Sequence, residues 1–161
     1  MSSGCMQGER ASWKVWLIGG LVIAAVLSGC IGPQQQARQP AAGPLPLIGT
    51  TWILKTYKGS DGSMVPVIPN WNVTARFDAE GKFTAHAGCN HISGLYVLSG
   101  QNGISLGSFS TTAVGCRGPV GVQEAAYSRH LRNASSYETT ADGMLNLKDA
   151  DGERILVYSG R

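Results

Sequence analysis

Between Thr50 and Tyr158 the chain never stays apolar for long: short stretches of alternating apolar and polar residues are cut repeatedly by Gly, Asn or Asp. Alternation with a period of two turns one face of an extended strand toward a core and the other toward water, and tight turns need those small, turn-forming residues. "NVTARF", from Asn72 to Phe77, alternates Val73, Ala75 and Phe77 with polar partners, "DAEG" follows, and "KFTAHAG" alternates Phe83, Ala85 and Ala87. Two such runs joined by a short glycine-containing loop predict a β-hairpin. The pattern recurs in "TTWILKTY" before "KGSDGS", "LYVL" and "ISLGSF" around "SGQNG", "YETTA" and "MLNLK" around "DG", and "RILVY" after "DADG". One segment breaks it. After "GCRGP", Pro119 suits the first turn of a helix, Glu124 lies near its positive N-terminal end, and Arg129 and Arg132 favour its C-terminal end. Tyr127, Leu131 and Ala134 form one apolar stripe. A lone amphipathic helix must bury that stripe, so it packs on the sheet or plugs it. The expected fold is α+β, mainly β: a curved antiparallel sheet or partial, cracked barrel with one amphipathic helix.

The N-terminus fixes the chemistry open to the cysteines. Arg10 and Lys14 precede "VWLIGGLVIAAV", Val15 to Val26, a basic region followed by a short apolar one, as in an export signal. A membrane-spanning helix needs about 20 apolar residues, and this stretch is shorter and broken by Gly19 and Gly20. It ends in "LSGC", which resembles the lipobox of bacterial lipoproteins. Small side chains at Ser28 and Gly29 let the chain lie extended for cleavage, and the Cys30 thiol accepts a thioether-linked diacylglycerol, with palmitate as a typical acyl chain. The predicted organisation is a signal peptide over 1–29, a lipidated Cys30 heading a flexible Pro/Gln/Ala tether over 30–46, and a domain over 47–161. Ile31 stands where a retained lipoprotein commonly has aspartate. The expected location is therefore the cell envelope, anchored by lipid to the outer membrane and facing the periplasm.

Cleavage removes Cys5 and lipid caps Cys30, which leaves Cys89 and Cys116. Outside the cytosol an even pair is most simply a disulfide, worth about 3 to 4 kcal/mol in the chain-entropy account. The formal charge of +3, from 13 basic and 10 acidic residues, forms no basic stripe, so nucleic acid is not an expected partner.

Five stretches then carry a family resemblance: "GTTWILKTY", "FDAEGKFTAHAGCNHISGLY", "STTAVGC", "QEAAYSRHL" and "MLNLKDADGERILVY". Their order and spacing resemble the META domain, the HslJ-like family, over residues 48–159. The most specific elements are Gly88, Cys89 and Asn90, then Gly94 and Tyr96, and the "STT" ahead of Cys116. The resemblance implies a curved antiparallel sheet or cracked barrel with a helix across it. It also implies an envelope role in stress and antibiotic tolerance, without established catalysis or cofactor. "SMVPVIPNW", with Pro66 and Pro69, departs from anything those elements predict.

The stretch "AHAGCNHISGLY" admits three readings. His86, Cys89, His91 and Cys116 are ligand types for zinc, but a tetrahedral site needs them to converge, and on a regular strand His86 points away from Cys89 and His91, unless Gly88 breaks the alternation. A Cys89 nucleophile with His91 as base, the thiol-enzyme alternative, lacks a group to orient the imidazole and loses its thiol to a disulfide. The favoured reading is structural: Gly88 and Gly94 allow close backbone approach, Asn90 bonds neighbouring main chain, and Cys89 ties the corner to the loop entering the helix. Ser110, Thr111 and Thr112 read as strand-edge hydrogen-bonders, since no triad partners are in evidence. Trp52, Phe77, Phe83, Tyr96, Phe109 and Tyr127 fill the core of a small barrel, or line an apolar groove if the sheet is cracked open. Ala75, Ala85 and Ala87 fit either case. The sequence thus points to a non-enzymatic, membrane-anchored protein without catalytic residues, metal or cofactor. It would bind an apolar ligand or lipid, or an envelope protein, the further alternative being a purely structural stress lipoprotein.

Overall fold

The computed structural model describes residues 44–161. The predicted signal peptide, Cys30 and most of the tether lie outside the described residues. Within them the strands are β1 (Thr51–Lys58), β2 (Met64–Pro66), β3 (Val73–Phe77), β4 (Lys82–Ala87), β5 (His91–Ser99), β6 (Gly103–Thr111), β7 (Ser136–Thr139), β8 (Met144–Lys148) and β9 (Arg154–Gly160), with helix α1 (Gly118–Asn133) between β6 and β7. All pairings among these strands are antiparallel, in the order β2-β1-β3-β4-β5-β6-β7-β8-β9, and β1 also pairs with β9. The meander therefore closes into a ring. One edge of β1 bonds β9 from Trp52 to Tyr57; the other serves β3 through Thr51 to Ile53 and β2 through Thr56 to Lys58.

The expected crack is a seam. β6 and β7 share one register pair, Gly103 with Ser136, flanked by backbone bonds from Ile104 N–H to Ser135 O (3.0 Å) and from Tyr137 N–H to Asn102 O (2.8 Å). At this seam the chain leaves the ring to build α1, which packs on β1, β4, β6 and β9.

Alternation sends Trp52 and Leu54 of β1, Val73, Ala75 and Phe77 of β3, Phe83, Ala85 and Ala87 of β4, and Leu145 and Leu147 of β8 inward, all buried. Ala75 lies opposite Ala85, and Val73 opposite Ala87, leaving room beside β3 and β4. The helix takes it. Tyr127, fully buried, reaches in far enough to donate to Thr74 O (3.2 Å) and to accept from Tyr158 Oη (3.3 Å). Burial pushes the hydroxyl pKa of both tyrosines up, which keeps them neutral donors.

Gly94 faces Phe109 and Phe83, where an added Cβ would sit 2.7 Å from Phe109 Cβ and 2.8 Å from Phe83 Cε1. Glycine there lets β5 and β6 close over the aromatic cluster. The domain also starts earlier than the sequence suggests: Leu45 packs against the core, and Thr50 Oγ1 donates to Pro46 O (2.7 Å).

At the far end of α1, His130 is buried with its Nε2 2.7 Å from Lys58 O. Burial pushes its pKa below the ordinary 6.5; the bond to the Lys58 carbonyl opposes this, and the charge of Arg129 reinforces it. In the unfolded chain the imidazole takes a proton first as pH falls through 6.5, so the folded state loses stability below that value and down to the lowered folded pKa. Urea titrations from about pH 7 to about pH 5 are expected to show this loss, with a shallower slope in His130→Gln.

Candidate functional site

The stretch singled out in the sequence folds as the tip of a tight hairpin. His86 pairs with His91 across β4 and β5, and Ala87 N–H donates to Asn90 O (2.8 Å), so Gly88 and Cys89 alone form the loop. Gly88 adopts φ 105°, and glycine first in a two-residue loop is what a type II′ hairpin turn requires. A turn at this point corrects the expectation that His86 points away from His91: the strand reverses rather than continuing, and the two rings lie on one outer face with centroids 4.7 Å apart. The break falls at Gly88, the residue able to interrupt the alternation, as a Gly-led dipeptide between two alternating runs.

Cys89, at the tip, is bonded to Cys116, which precedes α1, with Cα atoms 6.4 Å apart. The disulfide expected from the cysteine count is present. Behind it sits Asn90, only 4% exposed. Its Oδ1 accepts from Val114 N–H (2.8 Å) and Thr112 Oγ1 (2.8 Å); its Nδ2 donates to Val114 O (3.0 Å) and Glu124 Oε1 (2.6 Å). The amide therefore pairs with Val114 as a strand backbone would and leaves no lone pair or proton idle. Glu124 completes a fork by accepting Asn90 N–H at Oε2 (3.2 Å). The Thr112 hydroxyl in turn accepts from His91 N–H (3.0 Å). Glu124 thus has a partner that the helix pattern did not reveal, and the contact follows from the ring bringing the hairpin tip beneath α1.

Around this corner the first-loop departure finds its place. β2 extends the edge of β1, and Ile68 N–H donates to Oε1 of the fully buried Gln123 (2.8 Å). The position of a Cβ on Gly88 would be 3.5 Å from Trp71 Cε3, so the loop closes over the turn.

Cys89, Cys116 and Glu124 offer ligand atoms within 4.8 Å of one another, but the two sulfurs are spent on each other. For the same reason Cys89 is not a free nucleophile, and His91 points along the outer wall beside His86. Ser110 and Thr111 sit in β6 opposite Ser93 and Ile92 as ladder residues. Of the six aromatics weighed as core or groove lining, five are buried in the interior and Phe109 is half-buried at its edge. Trp52, Phe77, Phe83 and Tyr127 are fully buried, Tyr96 is buried with its hydroxyl donating to Asp78 O (2.5 Å), and half-buried Phe109 lies under the Arg132 guanidinium at 4.4 Å. Phe77 meets Tyr96 and Phe83 meets Phe109 edge-on, at 5.2 and 5.6 Å between centroids. Two surface clefts lie apart from this cluster: one of about 350 Å³ on the outer wall of β3 to β5, and one of about 540 Å³ between α1 and the loop after β1.

The model of the META domain family matches residues 45–160. A protein from Burkholderia xenovorans, solved by NMR, superposes with a TM-score of 0.59 at 24% identity, covering 81% of this chain and 97% of that one. A DUF4847 family protein from Bacteroides vulgatus gives a TM-score of 0.49 at 17% identity, covering 74% of this chain and 92% of that one. No curated protein matches the chain significantly.

Two substitutions test the corner. Asn90→Asp replaces two donated bonds with a carboxylate facing Glu124 and is expected to cost about 3 kcal/mol or more in urea unfolding. Cys116→Ser is expected to lose about 3 to 4 kcal/mol, with the difference from wild type vanishing in reductant.

Proposed function

The chain belongs to the META domain family, and from that footing we propose that it is a non-enzymatic envelope lipoprotein whose folded domain engages another envelope protein through its outer surface. The observation that carries this reading is the hairpin corner: its thiols, its buried amide and its carboxylate are already committed to holding the fold, and the His91 ring lies on the outer face beside His86. Cys89 and Cys116 are bonded together, and Asn90 and Glu124 satisfy each other and the main chain. A thiol mechanism would need Cys89 free and His91 aimed at it.

The filled interior weighs between the two kinds of ligand. An acyl chain inside the ring would have to displace Trp52, Phe77, Phe83 and Tyr127, none of which has measurable exposure. Contact therefore falls to the outside, where Leu95 and Val97 of β5 stand 59% and 66% exposed. Support for the anchor comes from the sequence, where Ser28, Gly29 and Cys30 close a short apolar run. An anchored domain near the membrane is also placed to act in stress or antibiotic tolerance.

Labelled palmitate fed to cells making the full chain tests the anchor. Wild type is expected to carry label and to sediment with membranes, whereas Cys30→Ser does neither; an unlabelled wild type would overturn the anchor. In native mass spectrometry the same preparation is expected to carry no lipid beyond its own anchor and to resist iodoacetamide at Cys89 and Cys116. A second lipid would restore the interior site, and alkylation of Cys89 would restore thiol chemistry.

A further inference from the structure

We propose that His86 and His91 form a surface site for an imidazole-seeking divalent transition metal, with Cu2+ the tightest occupant. His91 turns both of its backbone groups toward β6: its N–H donates to Thr112 Oγ1 (3.0 Å) and its carbonyl accepts from Thr112 N–H (3.0 Å). Neither group faces β4. His86 and His91 are therefore a non-hydrogen-bonded pair, the type in which opposed side chains come closest. The ring centroids are 4.7 Å apart and the planes are inclined by 70°. Nitrogen ligands sit about 2.0 to 2.1 Å from such ions, so one ion between the rings needs only small side-chain rotations.

The contacts of His86 also fix its tautomer. His86 Nδ1 lies 2.9 Å from Asn72 O and 3.3 Å from Gly88 N. A carbonyl only accepts, so the shorter contact requires the proton on Nδ1, and a protonated Nδ1 cannot also accept from Gly88. That leaves the lone pair on Nε2. An imidazole whose Nδ1–H is held by a backbone carbonyl is oriented as metal-ligating histidines commonly are. The pair lines the cleft on the outer wall, beside the hydroxyls of Thr84 and Ser93. Arg76, on the same cleft, has its guanidinium turned to Gly49 O (2.7 Å). Two imidazoles without a carboxylate or thiolate favour copper over calcium or magnesium, and copper heads the affinity order among first-row divalent ions.

The chain has three histidines, and His130 is buried against the Lys58 carbonyl, so the pair holds every accessible imidazole. This makes the test clean. The untagged full chain in detergent, its free thiols alkylated, is titrated with Cu2+ and followed by electron paramagnetic resonance. The expected result is one ion per chain with coupling to two imidazole nitrogens. His86→Gln and His91→Gln should each weaken binding by roughly tenfold or more, with thermal unfolding confirming that both variants remain folded, while His130→Gln binds as wild type does. Equal binding by wild type and His91→Gln, or coupling to a single nitrogen, would overturn the site.

Discussion

The pairing of β1 with β9 is the contact on which the rest of the domain depends. It joins strands from opposite ends of the folded chain, and it converts a meander with two open edges into a ring with an inside. Closure removes edges that would otherwise recruit other strands. It also gives every alternating run a single direction to bury, so that Trp52, Phe77, Leu145 and Tyr158 meet in one core although they come from four strands. Because that contact is so distant in sequence, the local hairpins precede the ring in cost and reward: their turns are set by nearby Gly, Asn and Asp, while the closing strand is rewarded only when the whole circuit is in register.

The seam between β6 and β7 is the counterpart of that closure. A ring with a sixteen-residue helix inserted at one joint cannot keep a full ladder there, and the helix compensates by covering the adjacent mouth. Its two ends are held differently. Near the start, the disulfide and the Asn90–Glu124 fork fasten it to the hairpin tip; near the finish, His130 bonds the last carbonyl of β1 and Arg132 covers Phe109. The disulfide, the Asn90–Glu124 fork and His130 are its fasteners.

Much of this was legible in the sequence because it rests on local rules. Alternation placed the β3–β4 hairpin, Pro119 and the stripe through Tyr127 and Leu131 placed the helix, and export chemistry paired Cys89 with Cys116. What escaped depended on ring closure or on one short turn. The dipeptide Gly88–Cys89 is a complete hairpin loop, and only a strand running on through Gly88 would have set His86 on the other face from His91. Glu124 looked like a helix-dipole residue because its partner, Asn90, is distant in sequence and arrives only when the tip folds under α1. The role of the alanines in β3 and β4 was undecidable from composition, since small residues serve an empty groove and a closely packed helix equally; the depth reached by Tyr127 decides for the helix.

The polarity of β1 has a consequence for how the domain is presented. At its start, Thr51 exchanges backbone hydrogen bonds with Arg161, so the entry and exit of the folded chain share one rim. At its finish, Lys58 meets His130 of the helix. An eight-residue strand separates the two by roughly 25 Å. The folded chain therefore begins and ends at one pole of the ring, and the opposite pole is left to the helix, the disulfide and the tip of the β4–β5 hairpin, a face that neither terminus of the domain obstructs.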